Sequence, residues 1–179
     1  MPIFRALLIL LALALPARAE TAYDFRFDAI DGAPLPLSDF RGKALLVVNT
    51  ASFCGYTHQY ADLVTIWRSY RERGLIVLGV PSNDFGGQEP GSAQTIKAFC
   101  EVNYDVDFPL TDKAVVKGAG AHPLYRWLAA ELGAASTPRW NFHKYLIAAD
   151  GRPVAFFPTQ VKPTDPKLTA AIEAALPRP

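Results

Sequence analysis

Two cysteines and three histidines are all that 179 residues hold of the usual nitrogen and sulfur metal ligands, and their spacing matches no recognised zinc or copper site. Neither a metal nor another cofactor is therefore expected. Charge is as sparse as ligands: 18 Lys and Arg against 17 Asp and Glu leave a formal +1, without the basic surplus of a nucleic-acid-binding chain. No internal repeat or low-complexity tract occurs, and no second long apolar run follows the first twenty residues to hold the chain in a membrane.

What is present begins with MPIFRALLILLALALPARAE, in which Arg5 precedes an apolar run over 6–15, Pro16 closes it, and Ala17 and Ala19 supply small residues. The run is well short of the roughly 20 residues that a membrane-spanning helix needs. It reads as a signal peptide over 1–19 with cleavage after Ala19, leaving one domain over 20–179 of a length that can bury its own core. The expected location is exported, periplasmic or secreted, where a cysteine pair could also be a permanent structural disulfide.

Along the mature chain, Tyr23, Phe25 and Phe27 alternate with polar residues ahead of Asp31-Gly32, a turn pair, and predict an N-terminal β-hairpin. Residues 44–50, ALLVVNT, are apolar enough for a central strand covered on both faces and parallel to its partner. Tyr60, Leu63, Ile66, Trp67 and Tyr70 recur three or four apart and predict a helix over 58–73, stopped by Gly74; a second apolar strand follows over 75–80. The segment 81–92, PSNDFGGQEPGS, reads as a loop, and Ser92 as the cap of a helix reaching about Glu101. A short strand over 108–110, a helix opened by His122-Pro123, a hairpin over 144–157 turned at Asp150-Gly151 and a last helix over 165–176 complete the order. This succession predicts an α/β, thioredoxin-like fold: a central mixed β-sheet sandwiched by α-helices, with the hairpin in front.

Within that frame LLVVNTASFCGYT, residues 45–57, puts Cys54 at a strand-to-helix junction, where N–H groups and the positive helix end favour a thiolate. A disulfide-exchange protein would carry a second thiol at position 57, and Thr57 stands there instead. Cys54 is thus a solitary thiol, either reactive or simply a buried small residue.

Three blocks in order, ASFCGYT, PSNDFGGQEPGS and WNFHKYLI, resemble signatures of the glutathione peroxidase family, and the resemblance covers essentially the whole mature chain. It implies that Cys54 takes the place of the peroxidatic cysteine or selenocysteine, with Gln88, Trp140 and Asn141 around it. Such a set suits the chemistry, because amide and indole N–H groups stabilise departing oxygen charge without themselves titrating. Taken singly, Gln88 would be a loop residue, Trp140 core and Asn141 a turn or cap. His58, His122 and His143 read as surface or capping residues.

The resemblance also makes Cys100 a resolving cysteine, condensing with the Cys54 sulfenic acid after local unwinding of its helix; its helical neighbours allow it equally to be a buried hydrophobe beside Phe99. Two departures from the family pattern stand out. The familiar Pro-Cys-Asn-Gln stretch reads Pro81-Ser82-Asn83-Asp84, which places a carboxylate where it could oppose a thiolate. Between the helix ending near Leu132 and Trp140 lies only a short segment, where tetrameric members carry an insertion, so a monomer with an open site is implied. The expected partners are a hydroperoxide and a thiol reductant, a dithiol protein or glutathione. The competing expectation is a non-peroxidatic thioredoxin-like redox or binding protein.

Overall fold

The apolar run at 44–50 becomes a strand buried along its whole length because helices lie on both faces of the sheet. A computed structural model describes residues 20–178; the expected leader over 1–19 lies outside the described residues. An opening hairpin of β1 (Arg26–Asp28) and β2 (Pro34–Pro36) is followed by β3 (Ala44–Thr50), α1 (Gln59–Tyr70), β4 (Leu75–Pro81) and α2 (Ala93–Tyr104). Then come α3 (Pro123–Leu132), β5 (Lys144–Ile147), β6 (Pro153–Phe157) and α4 (Pro166–Ala175).

The main sheet has the order β4-β3-β5-β6. β3 runs parallel to β4 and antiparallel to β5, and β5 and β6 form the expected hairpin, so the sheet is mixed. Its period-two alternation builds two cores. Leu46, Val48, Val77 and Leu146 face α1, α2 and α4, whereas Leu45, Val47, Leu78 and Ile147 face α3 and the opening hairpin. Each such side chain contributes roughly 1.5–3 kcal/mol on burial. A one-residue slip of β3 would exchange its two apolar sets, so the shape fit of each core, rather than an apolar-polar alternation, holds the register.

Side-chain caps set three helix starts. Ser92 Oγ accepts from Thr95 N–H at 3.3 Å, His122 Nδ1 from Leu124 N–H at 3.2 Å, and Asp165 Oδ1 from Lys167 N–H at 2.8 Å. α1 has no side-chain cap, and its entry is shaped by the turns that carry Cys54.

Two expectations need correction. Tyr23 lies in a 3-10 turn, Ala22–Asp24, rather than in a strand, because its hydroxyl reaches across to the carbonyls of Lys43 (2.9 Å) and Ala149 (2.8 Å). Residues 108–110 form no ladder strand: Pro109 has no N–H, and the segment makes a single parallel bridge, Leu110 with Gly79, before Thr111 pairs with Ala29.

Candidate active site

Three separated segments meet at one edge of the sheet for a topological reason. β3 and β4 are parallel, so the chain leaves both at the same edge, and β5, being antiparallel to β3 with Lys144 opposite Val48, begins there. The WNFHKYLI block thus reaches this edge at the amino end of its strand, not at a carboxyl end like the other two.

The chain leaving β3 folds through short turns, with Thr57 N–H donating to Cys54 O at 3.1 Å and Gln59 N–H to Tyr56 O at 2.9 Å. These hold Cys54 five residues ahead of α1, so its sulfur receives a turn amide rather than the end of the helix proper: Tyr56 N–H donates to Cys54 Sγ at 3.4 Å. The thiol is nearly covered, at 4 % exposure.

The loop after β4 is tied to this turn, since Phe53 N–H donates to Gln88 O at 3.0 Å. Gly86 and Gly87 adopt φ of +68° and +67°, a left-handed conformation that lets the loop double back. A Cβ placed on Gly86 would lie 3.7 Å from Gln88 Cγ and 3.9 Å from Trp140 Cη2, so both side chains converge on one point. Asn141 Nδ2 donates to Gln88 Oε1 at 2.9 Å, while Asn141 itself is fully buried and Trp140 is 40 % exposed.

Several residues that hold this arrangement escaped the sequence reading. Asn49 Nδ2, at the end of β3, donates to Trp140 O at 3.0 Å, and Phe142 N–H donates to Asn49 O at 2.6 Å. Thr159 Oγ1 donates to Asn141 O at 2.7 Å, and Gln59 Nε2 to Thr159 O at 2.7 Å. The turn forces Phe142 to φ +59°, and Lys144, buried in β5, steadies it by donating from Nζ to Phe142 O at 2.7 Å. The available signals were a polar Asn49 and a charged Lys144 inside otherwise apolar strands.

Asp84 is engaged by the backbone of the 116–117 segment. Its carboxylate accepts from Val116 N–H at 2.6 Å and Lys117 N–H at 3.2 Å, tying down a different loop. His58 stands at the start of α1, and His122 caps α3 as expected. His143 is instead buried, stacked on Phe156 at 5.7 Å, and burial beside Lys144 pushes its pKa down to about 4.

Cys100 lies in the core on α2, fully covered, and both cysteines are free. Burial pushes its thiol up to about 11. Among the described residues no group of three or more His, Cys, Asp or Glu could hold a metal ion, and no helix is long and apolar enough to cross a membrane.

A family model described as Glutathione peroxidase matches residues 22–129. The hydroperoxy fatty acid reductase gpx1 of Synechocystis sp. is 44% identical over 165 residues, covering 88% of this chain and 96% of that protein. The glutathione peroxidase-like peroxiredoxin GPX5 of Chlamydomonas reinhardtii is 40% identical over 156 residues, covering 86% and 95% respectively. Among solved structures, Trgpx in apo form superposes with a TM-score of 0.72 at 33% identity, covering 90% of this chain and 99% of that one.

Proposed function

Because this chain belongs to the glutathione peroxidase family and is a thiol peroxidase, we propose that Cys54 is its peroxidatic nucleophile, with Gln88, Trp140 and Asn141 stabilising the departing oxygen. The Cys54 thiolate attacks one peroxide oxygen, the O–O bond breaks with its electron pair on the leaving oxygen, and Cys54 becomes a sulfenic acid. The leaving oxygen takes a proton and departs as water or an alcohol. The observation that carries this reading is the Asn141 to Gln88 hydrogen bond of 2.9 Å. It orients the Gln88 carboxamide with its oxygen on Asn141, leaving the amide nitrogen as a donor for developing negative charge. The Trp140 indole, partly open to solvent, supplies a second donor at the rim.

Cys100 then resolves the sulfenic acid as a Cys54–Cys100 disulfide, and an external thiol donor, a dithiol protein or glutathione, reduces it. Since Cys100 is fully buried on α2, this step requires local unwinding of that helix. Hydrogen peroxide and organic or lipid hydroperoxides are the proposed substrates, supported by the partly exposed Trp140 rim and by the hydroperoxy fatty acid reductase among the relatives. An exported, periplasmic or secreted monomer remains the proposal for its setting, resting on the leader-like residues 1–19 and the short segment before Trp140.

The test adds stoichiometric peroxide to reduced protein and follows peroxide loss, intact mass and free thiols. Wild type should consume one equivalent and lose both thiols, and Cys54→Ser should consume none. Continued consumption by Cys54→Ser would refute the assignment.

A further inference from the structure

Beneath the Cys54 turn lies a buried polar cluster that peroxide cleavage does not use. Glu89 is fully buried, and neither of its carboxylate oxygens has a hydrogen-bond partner among the described residues. The hydroxyls of Thr50, Ser52 and Tyr60 are likewise buried and unpartnered. A carboxylate buried without partners is costly when ionised, so a position that retains one invites a role in which it gains and loses a proton. Lys113, the cation that acts on it among the described residues, directs its ammonium instead to the backbone carbonyls of Glu89 (3.2 Å) and Gly91 (2.8 Å).

The cluster links the segment that carries Cys54 to the helix that carries Cys100. On one side Ser52, two residues before Cys54, presents its hydroxyl and backbone N–H toward the Glu89 carboxyl without reaching hydrogen-bond geometry. Phe53 N–H holds the carbonyl of Gln88, the residue preceding Glu89, so this carboxyl is fixed relative to the Cys54 turn. On the other side the Tyr60 hydroxyl, in the first turn of α1, is the polar neighbour of both the Cys100 thiol and Thr50, and the Glu89 charge acts on Tyr60 and Cys100 alike. Glu101 adds a second negative field at Cys100 from α2.

We propose that Glu89 carries the proton in the step that joins Cys100 to oxidised Cys54, taking it from the Cys100 thiol by way of the Tyr60 hydroxyl and delivering it by way of Ser52 to the departing hydroxide. The step rests on the resolving reading of Cys100 above. In it the Cys100 S–H bond gives its proton to Tyr60 as Tyr60 passes its own to Glu89. The resulting thiolate attacks Cys54 Sγ as α2 opens, the S–O bond breaks with its electron pair on oxygen, and the Glu89 proton completes water. The sum is one sulfenic acid and one thiol giving one disulfide and one water, with no outside reductant. Burial raises the Glu89 carboxyl above its ordinary range, toward the pH where proton exchange is effective. Protonating it also removes the negative charge that opposes a Cys100 thiolate.

The experiment mixes reduced protein with one equivalent of hydrogen peroxide and quenches in time, reading trapped sulfenic acid and Cys54–Cys100 disulfide by mass between about pH 6 and 9. Wild type should form disulfide at a rate nearly independent of pH. Glu89→Gln should accumulate sulfenic acid and form disulfide about 10²-fold more slowly near neutrality, its rate climbing about tenfold per pH unit as hydroxide takes over from the carboxyl. Glu89→Asp, which keeps a carboxyl, should recover part of the rate. A Glu89→Gln disulfide rate and pH profile equal to wild type would overturn the proposal while leaving Cys100 as resolving cysteine. Absence of the disulfide in wild type would overturn the resolving reading and this proposal with it. Should Glu89→Gln not fold, Tyr60→Phe carries the test: the same slowing is expected, and an unchanged rate refutes the relay.

Discussion

Lys144 makes the stability of this protein depend on pH in an unusual direction. Its side chain is fully buried in β5, where burial pushes its pKa from an ordinary 10.5 down to about 7, partly offset by attraction to Asp62. Between these values the native protein holds Lys144 neutral while the unfolded chain holds it charged, so unfolding takes up a proton. Stability must therefore rise with pH across this window, at a slope of up to about 1.4 kcal/mol per pH unit. Below pH 7 the folded lysine is also charged and its full burial cost is present. Integrated from pH 6 to pH 9, the Lys144 contribution should improve by about 3 kcal/mol.

Lys144→Met keeps the length of the side chain and removes the titration. It also removes the donor to Phe142 O, a pH-independent cost of about 1–3 kcal/mol. Urea denaturation of both proteins at unit steps from pH 6 to 9 isolates the lysine, since groups remote from it cancel in the difference and His143 beside it titrates at about 4, below this range. Wild type should gain on the variant by about 3 kcal/mol over that range. Parallel curves, differing by the same amount at every pH, would refute the argument. The result bears on the site, because the bond from Lys144 steadies the strained Phe142 immediately after Asn141.

Asn49→Ala removes the donor to Trp140 O and should cost about 1–3 kcal/mol by thermal or urea unfolding. It should also slow peroxide consumption by the folded protein about tenfold or more, since small displacements of a positioned group are costly in rate; an unchanged rate in a destabilised variant would remove Asn49 from the positioning of Trp140. Asp84→Ala should lower stability by about 1–2 kcal/mol through loss of the amide acceptor for Val116 and Lys117. Its stopped-flow peroxide rate should stay within about twofold of wild type, whereas a marked acceleration would mean that the carboxylate field does reach the Cys54 thiolate.

Elements whose signals are local were legible in the chain alone. A largely apolar run specifies β3, a three-to-four spacing specifies α1, Ser92, His122-Pro123 and Asp165 mark helix starts, and Asp150-Gly151 marks a hairpin. The sequence also pointed to Cys54, Gln88, Trp140 and Asn141 through three blocks resembling one family, and membership in that family stands. Features that depend on strand direction and on contacts distant in sequence emerge only once the chain is folded. The antiparallel course of β5 brings Trp140 and Asn141 to the edge that β3 and β4 leave, where Asn141 meets Gln88. Only the packed core turns Asp84 toward Val116, covers His143 and leaves Glu89 and Lys144 inside. A charged residue in the sequence carries no sign of which face of the chain will be buried, because burial is settled by helices and loops that arrive from elsewhere.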